Sequence, residues 1–97
     1  LFPVKVRDIQ YIDNTRHVVN VHTVNGGILT VPYKTCKELL HEVDTDCLMQ
    51  CSRSTIVNKD YIENIDPLNR YITLKGVDEK IDIGITFKKK ILAEFGV

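Results

Sequence analysis

The chain has 97 residues, of which 43% are hydrophobic and 27% are charged, with 13 basic and 13 acidic residues that give zero net charge. This length allows one small domain with a single hydrophobic core, and the hydrophobic content excludes an intrinsically disordered segment. No apolar run has the length of a membrane-spanning helix and no signal-peptide pattern is visible, so we expect a cytoplasmic protein with no membrane partner. Zero net charge argues mildly against a nucleic-acid-binding protein, although the positions of the charges matter more than their sum.

Most of the sequence predicts short antiparallel strands. The predicted strands are residues 3–6, 9–13, 17–24, 28–32, 48–51, 61–66, 71–75 and 80–83. In the third of these, apolar and polar residues alternate, so Val19, Val21 and Thr23 share one face. Asn25-Gly26 between two such runs predicts a hairpin, because both residues tolerate positive φ.

Two further segments predict helices, one midway along the chain and one at its end. The first has apolar residues from Cys36 to Val43 at the i, i+3, i+4 and i+7 spacing of one helix face. Thr35 and Glu38 have the spacing of a capping box at its start. The second, for which Thr86 is the predicted N-cap, has large apolar residues at positions 87, 91 and 95 and lysines at 88–90.

The three cysteines, Cys36, Cys47 and Cys51, favour a reduced intracellular protein, because their number is odd and the chain shows no secretory signal. Cys47 and Cys51 form a Cys-x-x-x-Cys pair, but a zinc site generally needs a second pair of ligands. We therefore interpret the cysteines as small apolar residues and expect no metal.

Motifs of catalysis and nucleotide binding are absent from the sequence. Gly26-Gly27 is the only glycine pair, no Gly-x-Ser-x-Gly surrounds Ser52 or Ser54, and there is no His-Glu-x-x-His. No nucleophile is accompanied by an identifiable base. We expect no enzymatic activity and no cofactor.

Hydrogen-bond donors concentrate in three predicted loops. These are residues 14–17 (Asn-Thr-Arg-His), residues 52–54 (Ser-Arg-Ser), and residues 86–90 at the start of the last helix (Thr-Phe-Lys-Lys-Lys). Arginine makes bidentate contacts with guanine, whereas serine, threonine, lysine and helix N-termini contact phosphates. For each loop taken alone, an ordinary solvated turn remains the alternative.

The order of these features resembles the LytTR family of DNA-binding domains. Residues 8–13 (DIQYID) resemble the family's opening D-I-x-Y-I-E, and residues 34–40 resemble its x-L-K-E-L helix. Residues 50–58 (QCSRSTIVN) resemble its most specific segment, R-x-H-R-S-[YF]-[IV]-V-N. The last helix resembles S-R-x-Y-K-K-x-L, and the whole resemblance spans about residues 4–95.

The resemblance implies a mainly β fold of three small stacked antiparallel sheets with two short helices. It makes residues 1–97 a single LytTR-like domain, a C-terminal fragment of a larger bacterial response regulator of the LytR, AlgR or AgrA type. Such a domain follows a receiver domain and binds double-stranded DNA sequence-specifically. Loops enter successive major grooves at paired repeats, where two copies can form a dimer on the DNA.

By the same resemblance, Arg53 is the base-contacting residue of the second loop, and Arg16 or His17 is that of the first. Ser54, Thr86 and the lysines at 88 and 89 are expected to contact phosphates. The predicted DNA-binding residues are Arg16, His17, Ser52, Arg53, Ser54, Thr86, Lys88 and Lys89. Asn58 is expected to close a short turn of residues 55–57, because asparagine tolerates left-handed φ and bonds nearby backbone.

Three departures from the family pattern leave alternatives open. Gln50 and Ser52 replace an arginine and a histidine, and Ile85 and Thr86 stand where the family has an arginine before the last helix. An isoleucine cannot read a base edge by hydrogen bonding, so the third loop is expected to hold phosphates only. One alternative is a LytTR-like β domain that has become a protein-interaction module. Another is a thiol-linked sensor through Cys51 or Cys47, although a buried strand cysteine is the preferred interpretation of Cys51.

Overall fold

Residues 4–32, 35–43 and 45–96 are described by the structure, which is a computed structural model. The strands are β1 (Ile9–Thr15), β2 (Val18–Thr23), β3 (Ile28–Pro32), β4 (Leu48–Ser52), β5 (Thr55–Asn58), β6 (Ile62–Asp66), β7 (Tyr71–Leu74) and β8 (Ile81–Asp82). The α-helices are α1 (Cys36–Val43) and α2 (Ile85–Phe95), and single 3₁₀ turns lie at Val6–Asp8 and Lys59–Tyr61. Neither α-helix of this described part is long and apolar enough to cross a membrane.

The strands form two antiparallel sheets, which confirms the predicted fold class. One sheet has five strands in the order β3-β2-β1-β5-β4, and the other has three in the order β6-β7-β8. The resemblance implies three sheets, whereas the described residues form two, because β1 pairs with both β2 and β5 and so joins two hairpins into one sheet. The Asn25-Gly26 hairpin is confirmed between β2 and β3, where Gly26 has a φ of 82°.

The five-stranded sheet has a hydrophobic core on each face. Ile12, Val19 and Ile56 pack with α1 on one face, whereas Val57 packs with the three-stranded sheet and α2 on the other. Both Ile56 and Val57 are fully buried, because successive strand residues point to opposite faces. The predicted turn at residues 55–57 is therefore wrong. This β-branched run forms the strand β5, which lies between β1 and β4 and is buried on both faces.

Residues 3–6 are predicted to form a strand, but residues 4 and 5 are irregular and are followed by the 3₁₀ turn Val6–Asp8. Residue 3 lies outside the described residues, and the prediction is wrong for residues 4–6. Backbone carbonyl groups of this segment accept hydrogen bonds from side chains, whereas those of a strand accept them from the backbone of its neighbour. Asn58 Nδ2 donates to the Val6 oxygen at 3.2 Å, and the Tyr61 hydroxyl donates to the Arg7 oxygen at 2.6 Å.

Helix α1 begins with the predicted capping box. The Thr35 N–H donates to Glu38 Oε1 at 2.9 Å, and the Glu38 N–H donates to Thr35 Oγ1 at 3.1 Å. Each side chain thus satisfies a backbone donor that has no partner within the helix. Cys36 and Leu39 are buried against the sheet, as the apolar spacing predicts.

Helix α2 packs as predicted but begins earlier. Phe87, Ile91 and Phe95 contact the core beneath the three-stranded sheet. The predicted N-cap, Thr86, is already the second helical residue, and the N-cap is Gly84, which has no side chain to cap the helix. The helix start is therefore set by tertiary packing of Gly84 and not by a capping hydroxyl.

Two side chains of β1 tie the connection between β7 and β8 to the large sheet. Gln10 Nε2 donates to the Lys75 oxygen at 3.0 Å, and the Tyr11 hydroxyl donates to Glu79 Oε2 at 3.0 Å. Burial, together with the Glu79 carboxylate, raises the pKa of Tyr11 to about 12. These contacts hold the small sheet, and α2 with it, in a fixed position over the large one.

Candidate functional site

The three donor-rich loops predicted from the sequence meet at one end of the five-stranded sheet. Because β1 and β5 are antiparallel neighbours, the end of β1 lies beside the start of β5. The Asn14 N–H donates to the Ser54 oxygen at 2.8 Å, which joins the first loop to the second. The Gly84 N–H donates to the Cys51 oxygen at 2.8 Å, which joins the start of α2 to the second loop. We call residues 14–17, 52–54 and 84–89 the loop cluster.

The loop cluster contains every residue that the sequence predicts to bind DNA. These residues are Arg16, His17, Ser52, Arg53, Ser54, Thr86, Lys88 and Lys89. Ser52 and Lys88 are half-buried, and the others are exposed. Backbone hydrogen bonds therefore join the segments that carry these residues, which are up to 73 positions apart in the sequence.

The first loop is a two-residue turn in an unusual backbone conformation. Thr15 pairs with Val18, so only Arg16 and His17 connect β1 to β2, with φ values of 52° and 66°. The prediction that His17 begins the strand is wrong. Positive φ at both positions is the type I′ pattern, for which Asn-Gly is the preferred sequence. A left-handed conformation costs about 1–2 kcal/mol for an ordinary residue, and such strain concentrates at functional sites.

The second loop presents Arg53 at the tip of the hairpin between β4 and β5. Ser52 pairs with Thr55, and a register shift between Gln50 and Ser52 bends the end of β4. The Ser54 N–H donates to Ser52 Oγ at 3.3 Å, so the Ser52 hydroxyl shapes the turn. Arg53 is exposed, and within the described part of the chain its guanidinium has no hydrogen bond or ion pair.

The third segment approaches the second loop closely because residue 84 is glycine. A Cβ atom at Gly84 would lie 3.4 Å from the Ser52 Cα and Cβ atoms and 3.1 Å from Phe87 Cδ1. The first turn of α2 contains no acidic residue and receives no side-chain cap. On the outer surface of this first turn lie Ile85, which is 75% exposed, and the exposed Thr86.

Sequence reasoning missed Arg70, which lies beside this third segment. Arg70 ends the turn between β6 and β7 with a φ of 58°. The Ile83 N–H donates to the Arg70 oxygen at 3.0 Å, and Arg70 Nη1 donates to the Ile83 oxygen at 3.4 Å. Pro67 and Asn69 indicate a turn in the sequence. No local signal shows that this turn packs against the residues that lead into α2.

Charge is distributed unevenly over the neutral chain. The loop cluster contains four of the 13 basic residues, Arg16, Arg53, Lys88 and Lys89, and none of the 13 acidic residues. The ion pairs among the described residues, His22–Asp13 and Lys59–Glu94, lie outside it. The cluster is therefore positively charged and its cations are available to an anionic partner, which removes the objection raised by the zero net charge.

Two of the three cysteines are buried in the hydrophobic cores. Cys51 is fully buried in β4, and its thiol donates to the Thr55 oxygen at 3.6 Å. Burial raises the pKa of Cys51 to about 12 and that of buried Cys36 to about 11. No group of three metal-binding side chains occurs in the ranges that the structure describes. Because the thiolate is the reactive form, these surroundings argue against a thiol sensor at Cys51.

We expect the cysteines to react with iodoacetamide at very different rates in the folded protein. Cys47 is half-exposed and should react first, whereas Cys36 and Cys51 should stay protected at pH 8. Mass spectrometry after timed quenching, with urea-unfolded protein as the control, measures each rate. Rapid labelling of Cys51 in the folded protein would restore the thiol-sensor alternative.

Comparisons with known proteins agree with the geometry of the fold. The sequence profile of the LytTr DNA-binding domain matches residues 1–96. The structure is similar to the LytTr DNA-binding domain of a protein described as a methyl-accepting/DNA response regulator from Bacillus cereus, with a TM-score of 0.79. That match has 19% sequence identity and covers 99% of this chain and 88% of the other. No curated protein sequence matches the chain significantly.

Proposed function

The chain belongs to the LytTr DNA-binding domain family, and from this premise we propose that it binds double-stranded DNA sequence-specifically as the output domain of a bacterial transcriptional response regulator. In this proposal the loop cluster is the surface that meets the DNA. The regulator acts in the cytoplasm, an upstream receiver domain controls it, and paired repeats bring two copies together as a dimer on the DNA.

The observation that carries this proposal is the composition of the loop cluster. Its arginines and lysines are accompanied by hydroxyl groups, and its own residues include no carboxylate, whereas Asp13, Glu79 and Asp82 line the cleft beside Ser52 and Ser54. The major groove is about 12 Å wide and admits a two-stranded β-ribbon. The hairpin tips at residues 16–17 and 53–54 are two residues each and lie side by side at one end of the sheet. Each tip closes a two-stranded hairpin, the kind of element that such a groove admits.

Each loop has a distinct role in this proposal. Arg53, at the exposed tip of the second hairpin, contacts base edges, and Arg16 and His17 do so from the first. Ser54, Thr86 and the lysines at positions 88 and 89 contact phosphates, where hydroxyl groups, ammonium groups and the uncapped start of a helix are suitable donors. Ser52 stabilises the turn, because its hydroxyl accepts the Ser54 N–H.

Selection from a pool of random duplexes tests the proposal, with the enriched sequences retested by fluorescence anisotropy at several salt concentrations. We expect a paired motif at about one-turn spacing, with affinity falling as salt rises because phosphate contacts release counterions. Circular dichroism on the same sample shows that the domain is folded. A folded domain that enriches no sequence and binds no duplex would refute the proposal and favour the protein-interaction alternative.

Replacing Arg16-His17 with Asn-Gly is expected to stabilise the protein and weaken its binding to DNA. Asn-Gly is the preferred sequence of a type I′ turn. The change removes the backbone strain of two residues with positive φ, which should raise the free energy of unfolding by about 1–2 kcal/mol. The same change removes two proposed base contacts. Urea denaturation and anisotropy measure the two effects.

A matched change at the other end of the sheet, Asn25→Ala, should leave DNA binding unchanged. Stabilisation with unchanged DNA affinity would show that the first loop does not contact DNA.

A further inference from the structure

Ile85 is an exposed apolar side chain within a surface that is otherwise polar and basic. It is 75% exposed and is the first residue of α2. The apolar residues that follow at Phe87 and Ile91 turn into the core, whereas Ile85 faces away from it. Single exposed apolar side chains are common on protein surfaces, so what distinguishes Ile85 from Ile28 or Leu68 is its place in the loop cluster, among proposed DNA contacts.

The neighbours of Ile85 are the proposed phosphate contacts. Lys88 and Lys89 follow it by three and four residues and so lie beside it on the helix surface. Gly84 precedes it and packs against Ser52 in the second loop, so Ile85 also lies close to the hairpin that presents Arg53. If Lys88 and Lys89 bind phosphates at the edge of the major groove, the Ile85 side chain would face that groove.

The major groove offers one apolar group, the 5-methyl group of thymine, which protein side chains contact through apolar atoms. Hydrogen-bonding groups of the bases would lose their water against an isoleucine and gain no partner. We propose that Ile85 recognises thymine through this methyl group, as a specificity-determining residue of the third loop. This inference rests on the proposed function and revises the expectation that the third loop holds phosphates only.

Replacing thymines with deoxyuridine tests the proposal on the intact domain. Deoxyuridine lacks the 5-methyl group and keeps the hydrogen-bonding groups of thymine. In the selected duplex, each thymine is replaced in turn and the affinity is measured by anisotropy. At one thymine in each half-site, the unmodified protein is expected to lose about fourfold in affinity, the factor that burial of one methyl group gives.

Variants of Ile85 complete a double-mutant cycle with this methyl group. The Ile85→Ala protein is expected to bind the thymine and deoxyuridine duplexes equally at that position, and Ile85→Val should keep most of the difference. Ile28→Ala is the matched control, because Ile28 is 59% exposed at the start of β3, at the opposite end of the sheet. It should behave like the unmodified protein.

Three results would overturn the inference, and they differ in what they say of the proposed function. If the domain binds its selected duplex specifically but no deoxyuridine weakens binding, Ile85 does not recognise thymine and the proposed function stands. The same conclusion follows if the loss persists in Ile85→Ala. If no duplex is bound specifically, the proposed function and this inference fail together.

Discussion

Replacing Asn58 with alanine is expected to lower the free energy of unfolding by about 3 kcal/mol. The side chain is fully buried and makes three hydrogen bonds. Its Nδ2 donates to the Ile9 oxygen at 2.8 Å and to the Val6 oxygen at 3.2 Å, and its Oδ1 accepts the Asp60 N–H at 2.9 Å. Alanine would leave these groups without their partner inside the protein, and each such group costs about 1–3 kcal/mol when buried.

This loss is large for a domain of this size, because total stabilities of such domains are about 5–15 kcal/mol. In urea denaturation followed by circular dichroism, this loss of stability appears as a lower urea concentration at the midpoint of unfolding. Asn64→Ala is the matched control, because Asn64 is exposed in β6 and should change the stability by less than about 0.5 kcal/mol. If Asn58→Ala proves as stable as the control, Asn58 does not join the N-terminal turn to the sheet.

Replacing Arg53 with alanine is expected to weaken binding to the selected duplex by about 1–3 kcal/mol and to remove the preference at one base pair. The physical reason is the loss of a bidentate contact from the hairpin tip to a base edge. Because the Arg53 side chain is exposed and has no partner within the described residues, the free energy of unfolding should not change. Anisotropy against the selected duplex and its single-base variants measures the effect.

Lys88→Ala is the contrasting variant for this experiment. Loss of a phosphate contact should weaken binding to all duplexes alike and reduce the salt slope by about one. If Arg53→Ala also weakens every duplex equally and keeps the base preference, Arg53 contacts phosphate and another residue reads that base pair. If it changes neither affinity nor preference, the second loop does not meet the DNA.

Local patterns in the sequence were sufficient where neighbouring residues determine the structure. The capping box of Thr35 and Glu38 and the apolar spacing after it predict α1 correctly. The alternation that buries Val19 and Val21 predicts the face of β2. The hydrogen-bond donors of the three loops are sufficient to indicate them in the sequence.

Local patterns failed where a distant part of the chain determines the structure. The run Thr55-Ile56-Val57 is a strand because β1 and β4 lie on either side of it, and neither partner is visible in its own sequence. Asn58 was correctly predicted to have a structural role, but its φ is −86° and not left-handed, and its bonds reach residues near the N-terminus. Gly84 is the N-cap of α2 because it packs against Ser52, which outweighs the capping tendency of Thr86.

The total charge of the chain was a poor guide to its candidate site. Zero net charge is the sum of a basic loop cluster and a remainder with an excess of acidic residues. The sequence indicates Arg16, Arg53 and the lysines at 88 and 89, but only the fold shows that backbone hydrogen bonds join the segments that carry them. Arg70 was missed for the same reason, since its approach to Ile83 depends on the pairing of β7 with β8.

The measurement that tests this account most directly is an NMR titration of the ¹⁵N-labelled domain with its selected duplex. The account predicts that the amide shifts change most in the loop cluster, residues 14–17, 52–54 and 84–89. Residues 24–28, at the opposite end of the large sheet, and helix α1 should change least. Large changes in α1 or in residues 24–28, with the loop cluster unaffected, would contradict the claim that these three loops form one DNA-binding surface.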